Sequence, residues 1–391
     1  MVRRFVELDS LRGLAALAVV INHHLNVLPQ IFDQSVYARN DWVVAALKYT
    51  PLHAFWGGHE AVIFFFVISG FVLALPYFKR ELHYKPFILK RICRIYLPYI
   101  VAVSVALLAD VLVSRGAIAE LSSWFNGAWT QAITPKMLIN HALLIGSFSN
   151  GELDPVLWSL VHEMRVSLVF PVVVFVVTRF WWRRSLAVAV AVTLVAFVLA
   201  FAIYRGTGIS SDVPATLHYM AMFIIGALLA KHHDALTTRF NRFQRTTKWL
   251  VLSGAILAYT YRWWFLPHQR VLHFDIFNDW AATAGVSVFI VCALASAKVS
   301  RLLHTRPLLF LGRISYSLYL YHAIVLLAAL HLLFGLLPLT VIYAMSLIAT
   351  ILVSTAMYRL VEVPSIEIGR RWSSPRPRVV TLGENLQPGQ I

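Results

Sequence analysis

The sequence predicts an all-α protein: a polytopic transmembrane helical bundle of about ten spans with both termini cytoplasmic. Three observations carry this reading. The 391 residues are 59% hydrophobic and only 13% charged, with a mean hydropathy of +0.71, whereas soluble domains carry about 25% charged residues. The apolar residues recur in blocks of roughly 15–22, the length that crosses a hydrocarbon core. Of the 34 Lys and Arg, 26 fall in segments that are cytoplasmic if the N-terminus is inside, the asymmetry that orients membrane proteins.

Taken in order, the apolar blocks give spans at 11–28, 60–77, 96–113, 158–178, 185–203, 216–230, 249–265, 280–297, 314–333 and 337–358. The segment 137–147 is too short to cross and reads as a dipping or interfacial piece. The outer side keeps only Arg39, Lys48, Arg115, Lys136, Arg205, Arg262 and Arg270, and Arg165 lies within a span. No small-residue cleavage site closes the first apolar run, which therefore reads as a retained span and not a signal peptide. The transmembrane part occupies 1–365. Residues 366–391 form a cytoplasmic tail, polar and rich in Pro and Gly from Ser373 on, and expected to be disordered.

This pattern excludes soluble multidomain enzymes. The net charge of +16 sits in short clusters between apolar blocks, where it meets anionic lipid headgroups and not nucleic acid. Cys93 and Cys292 are too far apart for a disulfide framework or metal-ligand spacing. The adjacent pairs His23-His24 and His232-His233 point in different directions on a helix. Walker, dinucleotide and nucleophile-elbow motifs are absent, so neither a resident cofactor nor a metal is expected.

Ionisable groups inside a membrane are costly and mark candidate sites. The first span offers Asp9, expected to cap the helix start, then Arg12 and His23. Eleven residues at about 100° each bring Arg12 and His23 onto one face, with His23 ~16 Å deeper. That face suits a long ligand with an anionic head at the cytoplasmic mouth and a reactive end inside. It also suits a histidine bonded between helices, with Arg12 snorkelling to lipid phosphate. Arg91 and Arg94, three apart, either clamp a phosphate-rich ligand or anchor the span at the cytoplasmic surface. Glu163 and Arg165 enter the fourth span too close in sequence to face each other, so each needs a partner on another helix. Ser315, Tyr316, Tyr319 and His322 in the ninth span line a cavity or bond between helices. Asn22, Ser69 and His218 stay in the same undecided class.

Together these segments resemble the membrane acyltransferase family 3, bacterial polysaccharide O-acyltransferases and their relatives. The matching pieces run in order through most of the chain: Leu8-Asp-Ser-Leu-Arg12-Gly-Leu-Ala-Ala with His23 eleven residues on, Phe64-Phe-Phe-Val-Ile-Ser69-Gly-Phe71, Arg91-x-x-Arg94, Trp158-Ser-Leu-x-x-Glu163, Leu311-Gly-x-x-Ser315-Tyr316-x-x-Tyr-Leu-x-His322, and Val361-Glu-x-Pro364. The resemblance implies an essential His23, with Arg12, Arg91 and Arg94 contacting acyl-CoA as a cytoplasmic co-substrate. Many members carry an Asp just before the Phe-Phe of the second span, where this chain has Ile63. Its nearby acid is Glu60, in Gly58-His59-Glu60, and that Asp's role is not transferred. The extracytoplasmic esterase-like domain fused to some members is not expected here.

The expected chemistry is transfer of an acyl group, acetyl by family, from acyl-CoA to a hydroxyl of a carbohydrate or glycolipid at the cytoplasmic (inner) membrane. Neutral His23 would serve as general base, with Glu163, His322, Ser69 and Tyr316 as orienting or acceptor-site residues. A covalent acyl-His23 intermediate is the variant of this scheme. The rival from another class is a transporter or flippase of a lipid-linked or acylated glycan that uses the same polar residues as a path.

Overall fold

The computed structural model describes residues 4–33, 42–78, 83–130, 132–143, 153–207, 211–264 and 275–373. The expected tail from 374, the end of the dipping piece (144–147), and Arg39 and Arg270 lie outside them. The main helices are α1 (Val6–Asn26), α2 (Gly58–Ala74), α3 (Tyr84–Val113), α4 (Leu157–Leu168), α5 (Phe170–Arg179), α6 (Trp182–Thr207), α7 (Val213–Arg242), α8 (Arg245–Tyr259), α9 (Asp275–Ala295), α10 (Arg306–Leu333), α11 (Leu339–Met357) and α12 (Val363–Ser373). No strand occurs among the described residues beyond one isolated bridge between Phe334 and Leu337.

Seven of these helices (α2, α3, α6, α7, α9, α10 and α11) are long and apolar enough to cross a membrane. The pair α4–α5, bent by 60° at Val169, passes the same test only when its two helices are taken together, as a broken span or a re-entrant loop. Pro171 starts α5 and cannot donate to the turn before it, which fits a break there. The other two expected spans correspond to α1, loaded with Glu7, Asp9, Arg12 and the polar Asn22, His23, His24 and Asn26 near its end, and to α8, which is only 15 residues long. The protein is thus a polytopic membrane bundle. The piece around 137 is an eight-residue helix, Pro135–Ala142, in keeping with a segment that does not cross. At the other end, α12 carries helical structure to Ser373, past the 365 boundary.

Burial sorts the helices into a centre and a rim. α2, α7 and α10 are the most enclosed, whereas α6 shows Leu194, Val195, Phe197 and Val198 on its outside, a lipid-facing pattern. Close backbone approach holds the centre together. A Cβ at Gly13 of α1 would lie 2.6 Å from the Gly312 nitrogen of α10, and one at Gly312 would lie 2.6 Å from the Asp9 oxygen. Gly70 of α2 and Gly226 of α7 meet Phe223 and Val67 backbone in the same way. Association in lipid relies on such small-residue contacts, because apolar burial gives helices no advantage over lipid tails.

One expectation fails at the start of α1. The helix begins at Val6, with Phe5 as its cap residue and no side-chain cap. Phe5 and Leu8 are buried in the core, which draws helix four residues further back than a capping Asp9 allows. Asp9 falls in the first turn, where it accepts a hydrogen bond from Arg4 (2.8 Å) and still meets the positive end of the helix dipole.

Candidate active site

α1 lies along α10, and this packing brings His23 against His322. Their Nδ1 and Nε2 atoms are 2.8 Å apart. His322 is fully buried, and its own Nδ1 lies 3.0 Å from the Leu318 carbonyl oxygen. A carbonyl only accepts, so His322 Nδ1 carries the proton and its Nε2 the lone pair. His23 Nδ1–H must then donate to that lone pair. The consequence reaches the far side of the His23 ring: Nε2 is left unprotonated, a free base, with no hydrogen-bond partner among the described residues. Trp124, from the short helix Ser123–Asn126, stacks on His23 with centroids 4.8 Å apart and fixes the ring from its other face. His24 points elsewhere, bonded to Val20 oxygen (2.8 Å) and Ser346 of α11 (2.9 Å), which ties two helices together.

Toward the start of α1, Arg12 lines a narrow cavity of about 20 Å³ with Ser69, Glu163, Ser315, Tyr316 and Tyr319, room for a water or so. Tyr319 also flanks His322, ring centroids 6.1 Å apart. The side chains of α10 therefore run from the Arg12 cavity to the histidine pair, as the shared face of Arg12 and His23 on α1 requires.

The two arginines of α3 part company. Arg91 is buried and donates to Glu163 Oε1 at 2.6 Å and to the Ser167 hydroxyl at 3.2 Å, and Ser69 donates to the same Glu163 oxygen at 3.2 Å. Arg94 and Arg12 make no hydrogen bond or ion pair among the described residues. They lie within electrostatic range of each other and of Glu163 and Glu362. Two neighbouring cations with no direct carboxylate contact among the described residues are a suitable seat for phosphate. Pro98 leaves the Arg94 carbonyl without its intrahelical donor, and Tyr316 donates to the next carbonyl, that of Ile95, at 2.9 Å. Arg165 finds its partner on another helix, with Asp212 at 3.2 Å and Thr216 at 3.1 Å.

The structure also adds residues that sequence reasoning passed over. Glu362 sits in a π-helical turn, Tyr358–Glu362, and accepts from Ser317 of α10 at 2.7 Å. Its place in the Val361-Glu-x-Pro364 motif was the available signal. Trp124 had none. A second polar cluster joins His59 of α2, His218 of α7 and Asp279 of α9. Among the described residues no group of His, Cys, Asp and Glu could hold a metal ion.

This arrangement can be compared with known proteins. A family model described as an acyltransferase domain matches residues 5–359. The chain belongs to the acyltransferase-3 family. O-acetyltransferase OatA of Staphylococcus aureus (strain NCTC 8325 / PS 47) is 25% identical over 379 residues, covering 91% of this chain and 56% of that protein. Putative O-acetyltransferase SACOL0978 of Staphylococcus aureus (strain COL) is 24% identical over 393 residues, covering 95% and 59%. The chain thus spans a little over half the length of these relatives. No solved structure matches it. The acyltransferase-3 match takes in Arg12, His23, Ser69, Arg91, Arg94, Glu163, Tyr316 and His322, but ends short of Glu362.

Proposed function

We propose that this chain is an integral-membrane O-acyltransferase that moves an acetyl group from acetyl-CoA to a hydroxyl of a cell-envelope or exported carbohydrate. The observation that carries the proposal is the hydrogen-bond chain from Leu318 oxygen through His322 to His23, which leaves His23 Nε2 unprotonated. In this scheme the acceptor hydroxyl gives its proton to Nε2 while its oxygen attacks the thioester carbonyl. The C–S bond then breaks, and the imidazolium returns the proton to the departing thiolate. The charged His23 donates more strongly to His322 Nε2 than the neutral ring does, so the contact favours the transition state over the ground state.

Arg12 and Arg94 bind the CoA phosphates at the cytoplasmic mouth and orient the thioester toward His23. Arg91 acts by holding Glu163. Ten spans with both termini inside, in the cytoplasmic membrane, fit the charge distribution. The acyltransferase-3 membership and the names of the relatives support acetyl transfer to oxygen.

One observation favours the transporter reading: the 60° break between α4 and α5 resembles the discontinuous helices of transporters. The deciding experiment supplies membrane vesicles with radiolabelled acetyl-CoA and compares wild type with His23→Ala. Label entering the glycan equally in both overturns the catalytic assignment. Glycan moving across the vesicle membrane without an acyl donor establishes the transporter.

A further inference from the structure

The acyl-transfer scheme leaves a buried ionisable cluster around Asp279 unused. Asp279 of α9, 2% exposed, receives two imidazoles: His59 Nε2 at 2.6 Å on Oδ1, and His218 Nε2 at 3.0 Å on Oδ2. His218 is held in turn by Thr193 of α6 at 3.3 Å. The Asp279 backbone oxygen accepts from Thr283. Four helices thus combine to fix one ring, His59, whose side chain is 27% exposed while its support is buried. With Nε2–H committed to Asp279, His59 Nδ1 is left with no partner among the described residues. The Trp158 ring lies nearly parallel to it, at 10° and 5.9 Å between centroids.

The cluster adjoins the acyl-transfer centre. A Cβ at Gly58 would lie 2.5 Å from the Asn22 side chain, so the residue before His59 packs on the residue before His23. α1 runs from Arg12 to His23, which places His59 at the His23 end, away from the cations. An unpartnered, rigidly supported imidazole nitrogen beside an indole face is the equipment that recognises a neutral polyol: a directed hydrogen bond for a hydroxyl and an apolar wall for ring C–H.

We propose that His59, backed by Asp279 and His218, is an acceptor-binding residue whose Nδ1 bonds a carbohydrate hydroxyl neighbouring the one acylated, with Trp158 against the sugar ring. The acceptor then enters from the end of the bundle opposite the donor's phosphates. This rests on the acyl-transfer reading for the role of His23, but binding is testable without any transfer.

The full chain in nanodiscs is offered methyl glycosides of the common hexoses and N-acetylhexosamines, and binding is read by saturation-transfer NMR without acetyl-CoA. Wild type is expected to bind at least one of them. His59→Ala is expected to weaken that binding about tenfold, the worth of one good hydrogen bond, and His59→Gln to recover part of it. Melting temperature and acetyl-CoA binding should stay at the wild-type level in His59→Gln, which a merely structural role would not allow. No binding by wild type, or equal binding by His59→Ala and wild type, overturns the proposal. So does a loss of binding in His59→Gln that tracks a loss of melting temperature. A parallel arm with His23→Ala separates the two readings: sugar binding should survive that substitution while acetyl transfer does not. Sugar binding with transfer unaffected by His23→Ala would sink the base assignment alone.

Discussion

Replacing His322 by Ala removes the group that sets the protonation of His23 without touching His23 itself. His23 Nδ1–H then loses its 2.8 Å acceptor, and the ring loses both its tautomer and one stacked face. A hydrogen bond to a charged group is worth about 1.5–3 kcal/mol. If that amount is felt only when His23 is an imidazolium, each 1.36 kcal/mol costs a factor of ten, and kcat should fall about 10- to 150-fold. Loss of the base altogether, in His23→Ala, should cost about 100- to 10,000-fold. His322→Gln supplies a carbonyl oxygen that can accept from Nδ1–H and should recover part of the loss. The assay is single-turnover transfer from radiolabelled acetyl-CoA in proteoliposomes, with acetyl-CoA binding and melting temperature measured alongside. Wild-type turnover in His322→Ala refutes the reasoning. So does His322→Gln being slower than His322→Ala at equal stability.

Other substitutions probe the surroundings. Arg91→Ala leaves the partly buried Glu163 without its 2.6 Å partner and should destabilise the bundle by about 1–3 kcal/mol, visible as lost monodispersity or a lowered melting temperature. Arg94→Ala, which breaks no ion pair among the described residues, should melt near wild type but raise KM for acetyl-CoA. Gly226→Val must push apart the backbones of α2 and α7 and should cost on the order of 3 kcal/mol, read by size-exclusion chromatography of the solubilised protein. Asp154, in the loop before α4, is fully buried, and burial pushes its carboxyl up to about 8 from its ordinary 3.8. The folded state therefore favours the protonated acid, and stability should decline as pH rises from about 4 through about 8. Asp154→Asn should flatten that part of the melting-temperature profile, and an unchanged profile would remove Asp154 as its source.

Hydropathy and charge spacing made the membrane bundle legible, because a hydrocarbon solvent imposes its length scale on every span. Helical phase likewise related Arg12 to His23, since both lie on one uninterrupted helix. The reading weakened wherever a site depends on two helices whose mutual rotation is set by packing. Arg91 and Arg94 share a side at low resolution, yet the roughly 60° between them is enough to send one to Glu163 and leave the other near Arg12. Asp9 gave a cap signal that core burial of Phe5 and Leu8 overrode. Trp124 and the meeting of His59, His218 and Asp279 join residues with no local pattern in common, and only tertiary packing brings them together.

The π-helical turn at Tyr358–Glu362 gives the end of the chain an unusual kind of vulnerability. A turn wound with one residue too many is a phase shift, and it sets which direction everything after it looks. Deleting any one residue from this turn would let α11 run on as an ordinary helix and swing the Glu362 position by about 100°, away from Ser317 and the paired cations. Every side chain type could be kept and the acid would still be lost to the lipid. At this point chain length, not chemistry, is the quantity under constraint.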